Sequence, residues 1–479
     1  MLRFLPALMF SVLFPVMSMA QGAQVAFGAD QQDPSAPIEV TADALSVNQT
    51  DGTAIYTGNV LVSQGDMRMA AARVLVVYAE EQSAIDRIEA TGGVTLVSGE
   101  EAAEADRAEA ASGTEAEPAD AAEKNPPVLK QFDRNGRRQD VVVYNPSYHE
   151  LMSHSIGGGC TNYGYNEQRG DCLSHMTRAG LIYMSNQLEP GHSCPVVMTA
   201  AAIPVLTNVQ GYGDWLEGLS RPAYDGRNVP ISAKAGVTMG MSMTEKQGGS
   251  DVRANTTVAK PIDARDTGNG ARYELWGHKW FTSAPMCDGF LTLAVTEGGS
   301  APSCFLVPRW LPDGTRNVGF QVMQLKDKLA DRSNASSEVE YRGAFGTMVG
   351  EEGRGVKHII EMVSSTRLDC ALGSAGTSRR ALQQALHHVS ERKAFGSALI
   401  DQPLMRQLLT DISVECEGHT AAAMRMAELW NMQQRQLDAG DVDPHNAAAL
   451  RVGVAVAKYY VTKRAPGLTY ECMEAFGGM

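Results

Sequence analysis

Three stretches towards the C-terminal end, 356–392, 403–438 and 445–465, carry the spacing of long helices. Helices of such length draw most of their stability from packing one face on a neighbour, so three in succession predict a bundle. Between Val237 and about Phe345 the pattern is different. Short apolar runs (Tyr273-Glu274-Leu275-Trp276, Leu291-Thr292-Leu293-Ala294-Val295, Cys304-Phe305-Leu306-Val307) alternate with Gly and Pro turns, which is the signature of strands. From Pro127 to about Ser220 the period returns to that of helices: Leu151, His154 and Ser155, then Met176, Leu181, Ile182, Met184 and Leu188, recur at three and four. The order is helices, a β-domain, then a helical bundle.

The first quarter has another character. At 479 residues the chain is too long for one ordinary core, and two or three domains are expected. Arg3, the apolar run Phe4 to Met17 and Ser18-Met19-Ala20 follow the order of a cleavable secretory signal at 1–20, which predicts a periplasmic address. The run is too short to span a membrane comfortably. Residues 36–110 hold an internal repeat: Thr57-Gly58-Asn59-Val60-Leu61-Val62 returns as Thr91-Gly92-Gly93-Val94-Thr95-Leu96. Short β-branched runs punctuated by Gly predict stacked strands. The acidic run Glu100 to Glu109 reads as the solvated face of this unit, where the repeat pattern stops. Residues 111–126, rich in Ala, Glu, Ser, Gly and Pro without periodicity, are expected to be a linker.

All eight cysteines fall at or after residue 160, with spacings of neither a zinc site nor a disulfide framework, as in a cytosolic enzyme. Formal net charge is -14, which argues against binding nucleic acid through the whole surface. His387 and His388 are adjacent on a helix, not on one face, so they do not form a metal pair. No metal site is expected. Lys326, Lys328, Arg332 and Arg342 read as a solvated strand surface rather than a basic patch.

The chemistry concentrates in two segments. Met243-Thr244-Glu245-Lys246-Gln247-Gly248-Gly249-Ser250-Asp251 places two glycines, which let a backbone approach a flat ligand closely, between the hydroxyls of Thr244 and Ser250. Some thirty residues later, Gly277-His278-Lys279-Trp280-Phe281-Thr282-Ser283 adds an aromatic and further hydroxyls. In this order the pair suggests a site for a planar heteroaromatic cofactor with several polar edge atoms.

These segments resemble the acyl-CoA dehydrogenase family, whose middle β-domain carries a Thr-Glu-x-x-x-Gly-Ser-Asp loop and a Lys-x-Trp-Ile-Thr strand. Lys246-Gln247-Gly248, Lys326-Asp327-Lys328-Leu329 and Arg332-Ser333-Asn334-Ala335-Ser336 resemble its alkylation-response, AidB-like branch. The likeness spans about 125–479. It implies a helical part at 127–235, a middle β-barrel domain at 236–350 and a C-terminal helical bundle at 351–479. It also implies FAD as cofactor, with Met243, Thr244, Gly249, Ser250, Phe281, Thr282 and Ser283 around the flavin.

Arg392-Lys393-Ala394-Phe395-Gly396 and Gln402-Pro403-Leu404 resemble the family's segment that reaches the FAD pyrophosphate of a neighbouring subunit. The resemblance therefore implies Arg392, Phe395 and Gln402 as cofactor-binding and the chain as a homo-oligomer, with an acyl-CoA-type substrate. Glu474-Ala475-Phe476-Gly477-Gly478 resembles the start of the next cofactor segment, and the usual catalytic glutamate belongs beyond it. Some relatives place the base before an Arg-Leu pair, where this chain has Thr366, which cannot serve. Asp369 is expected in an i,i+4 or helix-end interaction, so no catalytic residue is assigned.

Residues 36–110 resemble the lipopolysaccharide-transport (LptA/OstA-like) β-domain, which implies a lipid-A ligand for that part. The whole is expected to be a small β-stack fused to a flavoprotein truncated at both ends, a chimeric product with FAD held weakly. Contacts with DNA in the AidB-like branch are attributed to C-terminal regions, so DNA binding is not carried over.

Overall fold

The computed structural model describes residues 39–48, 53–64, 67–78, 85–98, 101–111, 116–165 and 173–477. The apolar run expected as a signal, and Cys172, lie outside them. The other seven cysteines are free thiols. Among the described residues no helix is long and apolar enough to cross a membrane.

The first unit is one antiparallel sheet of six strands: β1 (Glu39–Thr41), β2 (Ala44–Asn48), β3 (Thr53–Gln64), β4 (Met67–Tyr78), β5 (Ile85–Ser98) and β6 (Glu101–Ala111). They run in the order β1-β3-β4-β5-β6, with β2 also on β3. Alternation buries Val60 and Val62 of β3 with Met69 and Ala71 of β4, and resumes beyond a register shift with Val74 and Val76. The sequence repeat has a structural meaning. Thr57-Gly58-Asn59-Val60 and Thr91-Gly92-Gly93-Val94 are the places where the ladders shift register, so each repeat unit is a recurrent β-bulge. At the first, Gly58 (φ +77°) and Asn59 (φ +46°) take left-handed backbone. The Gly58 carbonyl accepts from the Asp43 amide at 2.9 Å, and a Cβ at Gly58 would fall 2.5 Å from Asp43 Oδ2. From Glu101 on, the acidic run is strand β6, paired along β5; Glu100 lies outside the described residues.

The expected linker is not one throughout. Ala116–Lys124 is a helix, α1, whose Ala122 is fully buried with Tyr148, Leu151 and Met152. Composition hid it, because a single small residue carries the packing and leaves no apolar period. The stretch after Pro127 also opens differently from expectation: β7 (Val128–Phe132) and β8 (Arg138–Val143) form a hairpin before the helices begin. Helix α2 (Pro146–Gly157) starts where Asn145 caps the Ser147 amide at 3.0 Å and Pro146 fills the first turn. Helices α3 (Ser174–Leu188), α4 (Ser193–Thr207) and α5 (Gly213–Ser220) follow. Helix α4 is apolar on nearly every side and is accordingly buried on nearly every side.

The middle domain comprises β9 (Met239–Ser242), β10 (Val258–Pro261), β11 (Arg272–Ser283), β12 (Gly289–Thr296), β13 (Pro302–Pro308), β14 (Phe320–Leu325) and β15 (Ser336–Val349). The strands run β10-β11-β15-β13-β12, and β10 pairs back onto β12, which closes the ring into a small barrel. Strand β9 extends it at β12 and β14 at β15. Phe290, Phe305, Phe320 and Tyr341 fill its core.

Helix α6 (Gly355–Glu391) leads through a tiny hairpin, β16 (Lys393–Ala394) and β17 (Ser397–Ala398), to α7 (Pro403–Ala439) and α8 (Pro444–Glu474). Gly440 in left-handed conformation (φ +69°) stops α7, and Asp443 with Pro444 starts α8. One core joins this bundle to the earlier helices: Leu368, Leu372, Ala423, Trp430, Leu450 and Val461 pack with Leu181 and Ile182. Asp369 is neither an i,i+4 partner nor a helix-end residue. It lies 3% exposed in a two-pronged ion pair with Arg178 of α3, both bonds 2.9 Å, while Arg178 Nε donates to the Cys160 carbonyl at 2.8 Å. Burial opposes the charge on Arg178, but Asp369 reverses that and holds its pKa above the ordinary arginine value.

Candidate active site

The loop after β9 is folded onto the end of β11. Thr244 bridges antiparallel to Phe281, and the Trp280 amide donates to the Thr244 carbonyl at 2.9 Å. The chain then reverses, with the Gly248 amide donating to the Glu245 carbonyl at 3.0 Å. Gly248 has φ +112°, a conformation L side chains rarely adopt, and a Cβ on Gly249 would stand 2.8 Å from Thr244 Oγ1. The two glycines thus make a bare backbone cradle beside a hydroxyl. Among the described residues no hydrogen bond engages the amides of Gly249 and Ser250, and both residues are exposed. Those donors are open to a ligand.

What fixes the cradle is a buried ion pair inside the two motif segments. Lys279, fully buried on β11, donates to Glu245 Oε1 and to the Leu293 carbonyl, each at 2.9 Å. The Glu245 carboxylate also receives the amides and hydroxyls of Thr256 and Thr257. Burial pushes Glu245 towards neutrality, yet the Lys279 charge and these donors win and hold its pKa at about 2. Burial draws Lys279 down to about 8 against the pull of Glu245, so both stay charged at neutral pH. Asn255 ties the loop from its other side by donating to the Met243 carbonyl at 2.8 Å.

The structure brings Met243, Thr244, Gly249, Ser250, Phe281, Thr282 and Ser283 into one region with distinct roles. Met243 packs on the barrel core. Phe281 keeps its ring partly open to solvent. Thr282 is fully buried and shares a 2.6 Å hydrogen bond with Ser242, so its hydroxyl serves the wall. Ser283 lies opposite Ser336 of β15. Sequence reasoning missed two contributors. One is the Glu245–Lys279 pair. The other is Lys326, whose ammonium stands 3.3 Å from the Trp280 ring centroid and 5.3 Å from that of Phe281, held by Glu338 at 2.7 Å. So Lys326 is no solvated strand cation.

Arg392, Phe395 and Gln402 form a second, separate group; no hydrogen bond or ring contact joins it to the first among the described residues. Arg392 Nη1 donates to the Phe476 carbonyl at 2.9 Å, and Gln402 Nε2 donates to Ser397 Oγ at 2.8 Å and to the Ala394 carbonyl at 3.3 Å. Phe395 (φ +54°) and Gly396 (φ +85°) turn the β16–β17 hairpin, leaving the Phe395 side chain 95% exposed at its tip. Thr366 donates its hydroxyl to the Val363 carbonyl within α6.

A five-strand barrel ring between a helical domain and a three-helix bundle, with a glycine cradle bridged to the barrel's aromatic strand, is the architecture of the acyl-CoA dehydrogenase class. Residues 240–344 match the acyl-CoA dehydrogenase middle domain and 353–479 its C-terminal domain. Residues 82–226 match the adaptive response protein AidB N-terminal domain, so the chain carries acyl-CoA dehydrogenase domains of the AidB kind. The AidB protein of Escherichia coli (strain K12) is 42% identical over 363 residues, 75% of this chain and 63% of that protein. Acyl-CoA dehydrogenase family member 11 of Caenorhabditis elegans is 31% identical over 366 residues, 74% of this chain and 57% of the relative. The chain therefore spans about three fifths of these relatives' length. The crystal structure of C. elegans ACDH-11 in complex with C11-CoA superposes with a TM-score of 0.68 at 29% identity, over 76% of this chain and 60% of that one.

Residues 39–116 match a different family, the LptA/LptD N-terminal lipopolysaccharide-transport domain. The two matches overlap at 82–116. Pairing resolves the overlap: β5 and β6 belong to the first sheet, whereas α1 packs with the later helices.

Proposed function

We propose that residues 116–477 form an FAD-binding flavoprotein of the AidB-like acyl-CoA dehydrogenase type, acting on the CH–CH bond of an acyl thioester. The observation that carries this reading is the Gly248–Gly249 cradle bridged to the Phe281 strand. FAD bound there supplies a two-electron acceptor for hydride. The amides of Gly249 and Ser250 and the Thr244 hydroxyl would be its hydrogen-bond donors, Phe281 would offer it an aromatic surface, and Lys326 would add a positive charge beside the aromatic strand. Arg392, Phe395 and Gln402 suit the cofactor of a second copy, since Phe395 projects wholly outward; the active species is then a homo-oligomer. None of the residues described here is assigned as catalytic base, because Asp369 is locked by Arg178. The test is anaerobic addition of acyl-CoA esters of graded chain length to the FAD-loaded protein. Bleaching of the flavin band supports the reading, and an unchanged spectrum with every ester contradicts the dehydrogenase assignment.

For residues 39–111 a second reading applies, that of a lipopolysaccharide-transport-type module exported by the signal at 1–20. It is favoured by the apolar inner face of Val60, Val62, Val74 and Val76. The pairing of an export-type sheet with a cytosolic-type flavoprotein is then the join of two genes. An intact mass beginning at Gln21 in a periplasmic fraction supports export. One uninterrupted genomic read and one full-length polypeptide in cells would remove the case for an artificial join.

A further inference from the structure

Away from the cradle, three polar side chains of the helical domain stand in line. Ser155, in the last turn of α2, lies with its Oγ 2.7 Å from His192 Nε2. His192 Nδ1 lies 2.8 Å from Glu189 Oε2. The acid is fixed in turn by the amides of Gly191 (2.7 Å) and His192 (2.8 Å) and by Ser333 Oγ (2.8 Å) from the β14–β15 loop. An ionised carboxylate only accepts, so Nδ1 carries the imidazole proton and Nε2 is left to accept from Ser155. Burial works against the Glu189 charge, but the His192 and Ser333 bonds outweigh it and hold the pKa below the usual value. A Cβ at Gly191 would fall 2.1 Å from Ser333 Oγ and 2.5 Å from Glu189 Oε1, displacing the bond between them.

Nucleophile, base and orienting acid at these separations are the arrangement that activates a serine hydroxyl, recognised by geometry and not by fold. Ser155 and His192 are both buried, at 8% and 1% exposure, so an acyl group reaches the hydroxyl only where the surrounding side chains give way. Ser185 Oγ, on a half-buried residue, lies 3.1 Å from Ser155 Oγ and 3.4 Å from His192 Nε2, so a second hydroxyl stands at the same imidazole nitrogen. The cofactor reading uses none of these residues.

We propose that Ser155, His192 and Glu189 form a second, hydrolytic site that accepts acyl groups from activated esters and thioesters. Ser155 Oγ attacks the carbonyl carbon and its proton passes to His192 Nε2. The carbon–sulfur or carbon–oxygen bond of the leaving group breaks, and that group takes the proton from His192. Water then attacks the acyl-serine carbonyl, giving one proton to His192. The ester bond to Ser155 breaks, Ser155 Oγ recovers the proton and the free acid leaves. No electrons are exchanged, so the site works without a redox cofactor and stands or falls independently of the flavin reading.

The experiment treats full-length protein with a fluorophosphonate, followed by intact mass and peptide mapping. One adduct on Ser155 is expected, lost in Ser155→Ala, reduced at least tenfold in rate in His192→Gln, and retained in Ser153→Ala. Turnover of p-nitrophenyl butyrate should follow the same pattern. Far-UV circular dichroism and melting temperature of Ser155→Ala guard against misfolding, because alanine suits a helix. Absence of an adduct in folded wild type, or equal labelling in Ser155→Ala, overturns the proposal and leaves the three residues as a structural brace.

Discussion

Replacing Lys279 by Met tests whether the cradle hangs on the buried ion pair. Lys279 and Glu245 are 0% and 3% exposed at the side chain and 2.9 Å apart. At an effective dielectric of about 20, such charges attract by about 6 kcal/mol, against which desolvation of both must be set. Removing one partner of a buried pair costs about 3–5 kcal/mol because the other stays charged without it. Four donors from Thr256 and Thr257 remain on Glu245, which places the loss at the lower end, about 3 kcal/mol. Methionine keeps the aliphatic stem, so lost packing contributes little. Urea unfolding followed by tryptophan fluorescence reads the effect directly, since Trp276 and Trp280 lie on β11 itself. With a slope of about 1–3 kcal/mol/M the midpoint falls by about 1–3 M. Adding Glu245→Gln removes the stranded charge and should restore at least a third of the loss. A midpoint shift under about 0.3 M, or a double variant no better than the single, refutes the reasoning.

Acid should loosen the same element. The unfolded chain protonates Glu245 near its ordinary 4.5, and the folded one near about 2, so its stabilisation is complete above 4.5 and drains away as pH falls towards 2. A pH series of melting temperatures should show this slope in wild type and a flatter one in Glu245→Gln. Gly248→Ala forces an L side chain to φ +112° and should cost about 1–3 kcal/mol, with at least tenfold weaker FAD retention measured by fluorescence titration. Asp369→Ala leaves Arg178 buried without its partner and should lower stability by about 3–5 kcal/mol in a urea series. Ala122→Glu places a carboxylate where α1 meets α2 and should release that helix, detected as faster amide exchange over 116–124.

Much of the site was legible because its parts are local. The cradle and the aromatic strand each occupy one short run, and the Glu245–Lys279 pair that joins them lies inside those same runs, although Thr244 and Lys246 beside the one and His278 beside the other gave no sign that either charge is buried. The long helices were legible from period, and the recurrent bulge from the Thr-Gly-x-Val repeat. Other features depend on partners far apart in the chain. Arg178 and Asp369 are 191 positions apart, and nothing in either neighbourhood announces the pair. Ser155 reads as one more position on a helix face until α4 brings His192 to it. Helix α1 was hidden by an Ala- and Glu-rich composition that resembles a linker, and the 128–143 hairpin by the helical period that follows it. Lys326 looked solvated because its contacts, the Trp280 ring and Glu338, come from other strands.

Above all, the cradle between Thr244 and Ser250 and the Phe281 strand are expected to hold FAD. The visible absorption spectrum of the purified protein, taken after incubation with FAD and desalting, measures this most directly. A flavin band near ~450 nm is expected to be retained, and to be diminished by Gly248→Ala in protein that stays folded. A colourless wild-type protein with a native circular dichroism spectrum would contradict it.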